Sequence, residues 1–225
     1  MNARSGSCVT PAKGLSAAVH FCIELRDLHA HLFAVTLRLP QPQAHQTFQL
    51  PAWIPGSYLL REFSKHLQGL QAWQNDQPIR LTQLDKGTWR ADCAGDAVLE
   101  LRYEIYAADA SVRSAWLDAS RAFFNGTSVF LRALGFEHAR HSVEIVAPPG
   151  TPDWRLATAL HAEQTDNAGF GLYSACNYDE LVDCPVEMGP FWEGVFDTGG
   201  IHHRWAVSGA APSCDGERLR ADACK

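Results

Sequence analysis

Apolar and polar residues alternate along most of this sequence, and that alternation constrains the fold more than any other feature. It is cleanest at residues 99–105, LELRYEI, in which every second side chain is apolar. Successive side chains of an extended strand point to opposite faces of a sheet, so a period of two gives one buried face and one solvated face. The segment is therefore predicted to be an amphipathic β-strand.

The same alternation recurs in short segments that are separated by Gly, Pro and Asx turns. These segments are residues 19–25, 33–39, 70–73, 79–81, 88–90, 143–145, 154–158, 191–196 and 201–207. Few helices are predicted: one at residues 178–182 and one that starts near residues 213–217. Many short strands with few short helices predict a mainly β fold, an antiparallel β-sandwich.

Length and charge exclude several classes of protein. The chain has 225 residues, which is enough for one hydrophobic core. Its 25 Asp and Glu against 19 Lys and Arg give a net charge of -6. An acidic balance argues against a nucleic-acid partner, because phosphate backbones require a basic face. The sequence has no run of about eighteen apolar residues, so it also predicts no membrane partner.

The seven cysteines are scattered and include no C-x-x-C pair. An odd number of cysteines without a secretory signal indicates reduced thiols. The sequence therefore predicts a cytoplasmic protein in which every cysteine, Cys8 and Cys22 among them, is a free thiol.

Catalytic motifs are missing from the sequence. It lacks the H-E-x-x-H string that places two zinc-binding imidazoles on one helix face, and it lacks the inverted form. It also lacks the G-x-S-x-G elbow and the Walker A loop. His138 and His141 are three residues apart, but no acidic residue lies between them. No catalytic, metal-binding or cofactor-binding residue is predicted from these patterns.

Three longer segments carry a specific resemblance. They are PAWIPGSY at residues 51–58, FFNGTSVFL at residues 123–131 and YDELVDCPVEMG at residues 178–189. In this order and spacing they resemble the N-terminal domain of the glycyl aminopeptidase family of zinc metallopeptidases, metallopeptidase family sixty-one. The resemblance covers residues 15–225.

The resemblance implies a saddle-like, β-rich N-terminal aminopeptidase domain, which in the family precedes a helical catalytic domain. It divides the sequence into a flexible tail at residues 1–14, the β-rich domain at residues 15–210, and a truncated start of the catalytic-domain helix at residues 211–225. The zinc ligands and the general-base glutamate of the family belong to the catalytic domain. We therefore expect no zinc, no other cofactor and no peptidase activity in this chain alone.

The partners implied by the resemblance are the missing catalytic domain or a full-length paralogue, with a peptide substrate only in the full-length context. In that context the domain is expected to form one wall of the substrate cleft and the interdomain interface. Without its partner it is expected to expose an apolar patch larger than monomers normally carry.

Five residues are candidates for the cleft or the interface. Tyr58 is presented by a rigid turn with two prolines and a glycine, a composition that also builds purely structural corners. Asn125, Gly126 and Thr127 predict a tight turn whose exposed polar groups face a neighbouring domain or a peptide. Tyr178 starts the stretch that is expected to cross towards the catalytic domain and to seal the seam between the domains.

A stand-alone β-sandwich module that binds peptides or glycans is the alternative function. Such a module would use the seven tryptophans as ligand platforms. Most of these tryptophans alternate with polar residues within predicted strands, which favours a place in the core over an exposed platform.

Overall fold

Strands dominate the computed structural model of the chain, which describes residues 18–209 and 214–224. One large sheet has eight strands in the order β14-β15-β12-β1-β2-β8-β4-β5. Its strands are β1 (Val19–Asp27), β2 (Leu32–Leu39), β4 (Leu67–Gln74), β5 (Gln77–Ile79), β8 (Leu99–Tyr106), β12 (His141–Val146), β14 (His161–Thr165) and β15 (Gly171–Ala175).

Two four-stranded sheets and one hairpin complete the β-structure of the described residues. The second sheet, in the order β13-β16-β10-β9, consists of β9 (Ala115–Leu117), β10 (Ala122–Phe124), β13 (Arg155–Thr158) and β16 (Val186–Gly189). The third sheet, in the order β11-β3-β7-β6, consists of β3 (His45–Gln49), β6 (Leu81–Asp85), β7 (Thr88–Asp92) and β11 (Arg132–Ala133). The hairpin pairs β17 (Phe191–Thr198) with β18 (Ile201–Ser208).

Helices are short and few, as the sequence predicts. Helix α1 (Tyr178–Asp183) is capped by Asn177, whose side chain accepts a hydrogen bond from the Glu180 amide at 2.8 Å. Helix α2 (Gly216–Ala223) is capped by Asp215 in the same way. Two 3₁₀ turns, Phe63–His66 and Gly126–Ser128, account for the remaining helical residues of the described chain. The predicted mainly β fold with few short helices is confirmed.

Pairing within the sheets is antiparallel with one exception. Strand β1 runs parallel to β12, with Val19 opposite His141. Parallel neighbours need a long crossover, and here the chain from β2 to β11 supplies it, including all of the third sheet and strands β9 and β10 of the second. The large sheet is therefore mixed, which the local alternation of residues does not reveal.

Aromatic side chains join the inner face of the large sheet to the second sheet. The ring of Phe33 in β2 lies edge-on to that of Phe124 in β10, with centroids 5.7 Å apart. Phe124 in turn contacts Phe130, which also packs on Phe21 of β1. The two sheets therefore share one core, in the manner of a sandwich.

Two-residue turns close two of the hairpins. Asn75 and Asp76 between β4 and β5 have φ angles of 50° and 59°, and Gly199 and Gly200 between β17 and β18 have φ angles of 60° and 78°. Positive φ at both central residues is the geometry of a type I′ turn, which matches the twist of the flanking strands. The sequence predicts both turns from Asn-Asp and Gly-Gly.

One prediction about the cysteines is wrong. Cys22 in β1 is disulfide-bonded, whereas the other five described cysteines are free. Cys8 and the tail predicted at residues 1–14 lie outside the described residues. Neither α1 nor α2 has the length and apolar character that crossing a membrane requires, and the described chain contains no other α-helix.

Candidate functional site

Large apolar side chains are exposed on the segment that connects β3 to the first 3₁₀ turn. We call residues 51–62 the apolar loop. Leu59 and Leu60 expose 64% and 75% of their surface, and Trp53 exposes 47%. Tyr58 is fully exposed. Scattered surface leucines are ordinary, but four such side chains on one short loop form a patch of the kind that marks an interaction surface.

Backbone hydrogen bonds fold the apolar loop back on itself. The Arg61 amide donates to the Ala52 carbonyl at 2.7 Å, which joins the two ends of the loop. The Trp53 indole N–H donates to the Ser57 carbonyl at 2.8 Å. Gly56 has a φ of 80°, a left-handed conformation that glycine adopts without steric cost. The loop is therefore held in one conformation although its side chains are exposed.

Ser57 fixes the residues on either side of Tyr58. Its side chain is largely buried, and its Oγ lies 3.2 Å from the Leu59 amide and 3.0 Å from the Leu59 carbonyl. The Arg61 Nε donates to the same Oγ at 3.4 Å. This local network sets the direction in which Tyr58 leaves the loop. The rigid turn that the sequence predicts is thus present, and it presents Tyr58 to solvent.

A small aromatic cluster adjoins the end of the apolar loop. The His66 ring, at the end of the 3₁₀ turn, lies 6.4 Å from the ring of Tyr106, which is itself partly exposed. Burial lowers the pKa of His66, and the neighbouring Lys65 lowers it further, while Asp109 acts in the opposite direction. The lowered pKa favours the neutral form of the His66 ring near pH 7.

Residues 125–127 lie inside the protein. Thr127 exposes 4% of its surface, and Asn125 and Gly126 are also buried. The predicted exposure of their polar groups is wrong. The Asn125 side chain accepts a hydrogen bond from the Thr127 amide at 3.1 Å, so the amide group is used within the turn.

The packing of α1 explains why this turn is covered. A Cβ placed on Gly126 would lie 2.8 Å from the Cα of Val182 and 3.0 Å from the carbonyl oxygen of Leu181. Only glycine allows α1 to approach the turn so closely. Long-range packing thus buries a motif that, taken alone, has the composition of a surface turn.

Tyr178 is also a core residue. Its hydroxyl donates to the Phe130 carbonyl at 2.7 Å, and its amide donates to the Glu137 carbonyl at 2.8 Å. The neighbouring Tyr103 hydroxyl donates to the Val129 carbonyl at 2.9 Å in the same manner. Burial raises the pKa of Tyr178 far above its ordinary value. The structure therefore places Tyr178 with residues 125–127 in the interior, and places Tyr58 apart from them on the surface.

The described residues do not fit a zinc site. Across residues 18–209 and 214–224, no three His, Cys, Asp or Glu side chains come together as metal ligands. His138 is exposed, whereas His141 is buried with its Nδ1 2.8 Å from the Ala139 carbonyl. No catalytic step that passes through zinc is assigned to these residues.

Sequence reasoning identified Tyr58 but missed its neighbours. Leu59 and Leu60 were not singled out, although Tyr-Leu-Leu directly after a Pro-Gly turn is the signal that reveals them.

Known proteins share both sequence motifs and the fold of this chain. Residues 20–190 match the peptidase M61 N-terminal domain. An aminopeptidase N family protein from Idiomarina loihiensis is 37% identical, and the match covers 92% of this chain with a TM-score of 0.88. It covers 35% of that protein, so this chain spans about a third of the length of its relative.

Less similar structures include an M1 zinc metallopeptidase from Deinococcus radiodurans, which is 16% identical over 90% of this chain and 50% of its own, with a TM-score of 0.44. The aminopeptidase A of Legionella pneumophila is 11% identical over 91% of this chain and 25% of its own, with a TM-score of 0.48. Among curated proteins, none matches the sequence. From the match over residues 20–190 and the 37% identity to the Idiomarina protein, the chain belongs to the peptidase M61 N-terminal domain family.

Proposed function

We propose that this chain acts as the non-catalytic N-terminal domain of an M61-type zinc metallopeptidase. In that role the apolar loop contacts the catalytic domain and contributes one wall of the substrate cleft. The observation that carries the proposal is the exposure of Trp53, Tyr58, Leu59 and Leu60 together on a loop that is fixed by its own hydrogen bonds.

The energetics of association favour such a loop. Covering an exposed leucine side chain stabilises a complex by about 1.5–3 kcal/mol when the side chain becomes fully buried. A loop that is already ordered loses little conformational entropy on binding, so more of that stabilisation remains as affinity. Tyrosine and tryptophan are the residues most often found as anchors of interfaces. Trp53 and Tyr58 therefore suit the centre of a docking surface.

The hydroxyl of Tyr58 gives the proposed cleft wall one polar group. An aromatic ring with a polar tip suits a place where an apolar interface meets a solvated cleft. The reacting groups, including zinc, would come from the catalytic domain, because the described residues contain no ligand set for a metal. A peptide substrate would then be bound only when both domains are present.

The tryptophans do not favour the alternative of a glycan-binding module. Trp89 and Trp154 are buried in the core. The Arg102 guanidinium covers the ring of Trp73 at 5.0 Å, and the ring of Trp192 lies against Gly216. An aromatic platform needs open ring faces, and these four rings do not provide them.

A hybrid polypeptide tests the proposed function. In this hybrid, residues 1–225 replace the matching N-terminal region of the Idiomarina loihiensis protein, and amide hydrogen exchange is compared between the hybrid and the 225-residue chain alone. We expect the amides of residues 58–60 to exchange at least tenfold more slowly in the hybrid. A cooperative thermal unfolding transition confirms that the hybrid is folded, and a mixture of the two separately purified parts serves in its place if the hybrid does not fold.

A matched pair of variants distinguishes docking from unspecific burial. Leu59→Asp together with Leu60→Asp is expected to remove the protection, because a desolvated carboxylate opposes burial of the loop. Val98→Asp changes an exposed valine just before β8, at the opposite end of that strand from Tyr106, and is expected to leave the protection unchanged. Equal exchange at residues 58–60 in the chain alone and in the folded hybrid would contradict the proposal.

A further inference from the structure

The β17–β18 hairpin stands apart from the sheets of the domain. It begins at Phe191, directly after the residues 20–190 that match the family domain. Its eight residue pairs run from Phe191 opposite Ser208 to Thr198 opposite Ile201 without a shift in register. Strand β18 pairs with β17 on one side and with no strand of the described residues on the other.

Backbone groups on the open side of β18 lack partners. Counted from the closing pair at the two-residue turn, alternate residues of an antiparallel strand direct both N–H and C=O away from their partner. On β18 these residues are His202, Arg204, Ala206 and Ser208. No backbone hydrogen bond from residues 201–208 to any element other than β17 is found in the described chain.

Three other edge strands of the described sheets have features that disfavour further pairing. Strand β14 has a bulge and five exposed residues, and β6 also has a bulge. Strand β5 has three residues and contains Pro78, which has no amide hydrogen to donate. Natural sheets use these devices to prevent unwanted pairing. Strand β18, with eight residues, no proline and no bulge, has none of them.

The two faces of the hairpin differ in character. One face is apolar: the ring of Phe196 stacks on His203 at 5.0 Å and lies edge-on to Trp205 at 5.4 Å. On the same face, a Cβ on Gly216 would lie 2.1 Å from the ring of Trp192, so α2 packs directly on this surface. An added strand would therefore extend the apolar surface on which α2 already packs.

The opposite face of the hairpin is polar and joins the body of the domain. Glu193 of β17 pairs with Arg155 of β13 at 2.9 Å and also with Arg204 of β18. The Arg155 guanidinium also lies 4.5 Å from the centre of the Phe191 ring. These contacts hold the hairpin against the second sheet and leave the backbone edge of β18 available.

We propose that an extended strand of the catalytic domain pairs with the open edge of β18 through main-chain hydrogen bonds. This inference rests on the proposed function and adds a second, separate contact to it. The occupant is the catalytic domain because the hairpin lies just beyond the family match and because the Idiomarina relative has about two thirds of its length outside the matched region. The added strand should alternate, with apolar side chains on the face of Trp205.

Residue-resolved amide exchange tests this pairing in the same hybrid. Outward amides of an unpaired edge exchange quickly, whereas amides in a ladder are protected. We expect the amides of His202, Arg204 and Ala206 to exchange at least tenfold more slowly in the hybrid than in the 225-residue chain alone. The amides of His203 and Trp205, which face β17, serve as the internal reference, since they are paired in both proteins.

Two substitutions at one position provide the matched control. Ala206→Pro removes an outward N–H that β17 does not use, and proline is tolerated at such edge positions. Ala206→Ser keeps that N–H. When the two parts are purified separately and mixed, we expect Ala206→Pro to weaken their association at least tenfold and Ala206→Ser to change it less than twofold. Should Ala206→Pro unfold the hairpin, seen as lost protection at His203, the exchange comparison decides alone.

Each outcome of these measurements decides between specific alternatives. Slow exchange at both residues 58–60 and the outward amides of β18 supports the pairing. Slow exchange at residues 58–60 alone overturns the pairing and leaves the proposed function standing. Fast exchange at both sites overturns both. Protection of the outward amides in the isolated chain that increases with its concentration would show that a second copy of the chain occupies the edge, and would also overturn the proposal.

Discussion

The apolar loop and the turn at residues 125–127 are both short, glycine-containing segments of the family motifs, yet they lie in opposite environments. The loop exposes Tyr58 completely and makes its hydrogen bonds within itself. The turn is buried, and Gly126 is in contact with α1. A glycine turn is therefore not a surface feature by composition, and its environment depends on whether another element packs on it.

The family motifs of this chain are therefore of two kinds, those that pack the core and those that stay exposed on the surface. Residues 125–127 and Tyr178 join α1 to the core, so their substitution should reduce stability. The exposed apolar side chains of the loop contribute little to the core, so their substitution should affect association and leave stability almost unchanged. Four experiments test this division, from the largest expected effect to the smallest.

Gly126→Ala should have the largest effect on stability. The added Cβ would lie 2.8 Å from the Cα of Val182, and we expect the free energy of unfolding to fall by about 2–3 kcal/mol, as for other overpacked sites. Gly56→Ala is the control, because nothing lies within 4 Å of that position and only the φ of 80° opposes it, at a cost of about 1–2 kcal/mol. Urea unfolding followed by tryptophan fluorescence measures both. A larger loss for Gly56→Ala would contradict the division.

Tyr178→Phe should have the next largest effect. It removes the hydroxyl that donates to the Phe130 carbonyl and leaves that buried carbonyl without this donor, at a cost of about 1–2 kcal/mol. Tyr58→Phe makes the same chemical change on the exposed loop and should alter the free energy of unfolding by less than about 0.5 kcal/mol. Equal losses for the two variants, measured by urea unfolding, would show that Tyr58 also makes an intramolecular bond.

His141 should make the stability of the folded protein sensitive to acid. Burial lowers the pKa of His141; the Ala139 carbonyl and Glu137 oppose the shift, and His20 adds to it. Because the folded pKa lies below the unfolded value of about 6.5, the unfolded chain binds more protons as the pH falls below that value, and stability is lost there by at most about 1.4 kcal/mol per pH unit.

The slope of stability against pH measures this contribution. Thermal unfolding between pH 7 and pH 5 should show a smaller loss in His141→Phe than in the wild type, whatever the stability of the variant at pH 7. Other groups that titrate in this range, such as Glu144 with its raised pKa, are common to both proteins and cancel in the comparison. Identical slopes would mean that the pKa of His141 is the same in the folded and the unfolded chain.

Leu59→Asp with Leu60→Asp should have the smallest effect on stability. Both side chains are exposed, so the free energy of unfolding is expected to change by less than about 0.5 kcal/mol. The same variant should bind an apolar dye such as anilinonaphthalene sulfonate more weakly, because it removes two exposed leucines of the patch. A destabilisation above about 1 kcal/mol would place these leucines in the core of the protein in solution.

The strands were predictable because their signal is local. Leu99, Leu101 and Ile105 alternate with charged residues, and the structure buries all three in β8. The turn between β17 and β18 was predictable for the same reason, since two consecutive glycines permit the positive φ angles that a two-residue hairpin needs. Neither prediction required knowledge of distant residues.

The environment of the motifs was not predictable in this way. Asn125 and Thr127 have the composition of an exposed turn, and their burial depends on α1, which is more than fifty residues away in the sequence. The parallel pairing of β1 with β12 and the open edge of β18 likewise depend on which strands meet. Strand alternation defines faces, but it does not specify neighbours.

The sequence by itself therefore determined the mainly β class, the strands with clean alternation, the family and the turn that carries Tyr58, because these depend on local periods, φ preferences and motif strings. The tertiary structure alone decided which motifs are buried and which are exposed. Burial is a property of pairs of surfaces that come together from distant parts of the chain, and only their packing separates the stabilising turn at residues 125–127 from the apolar loop at residues 51–62.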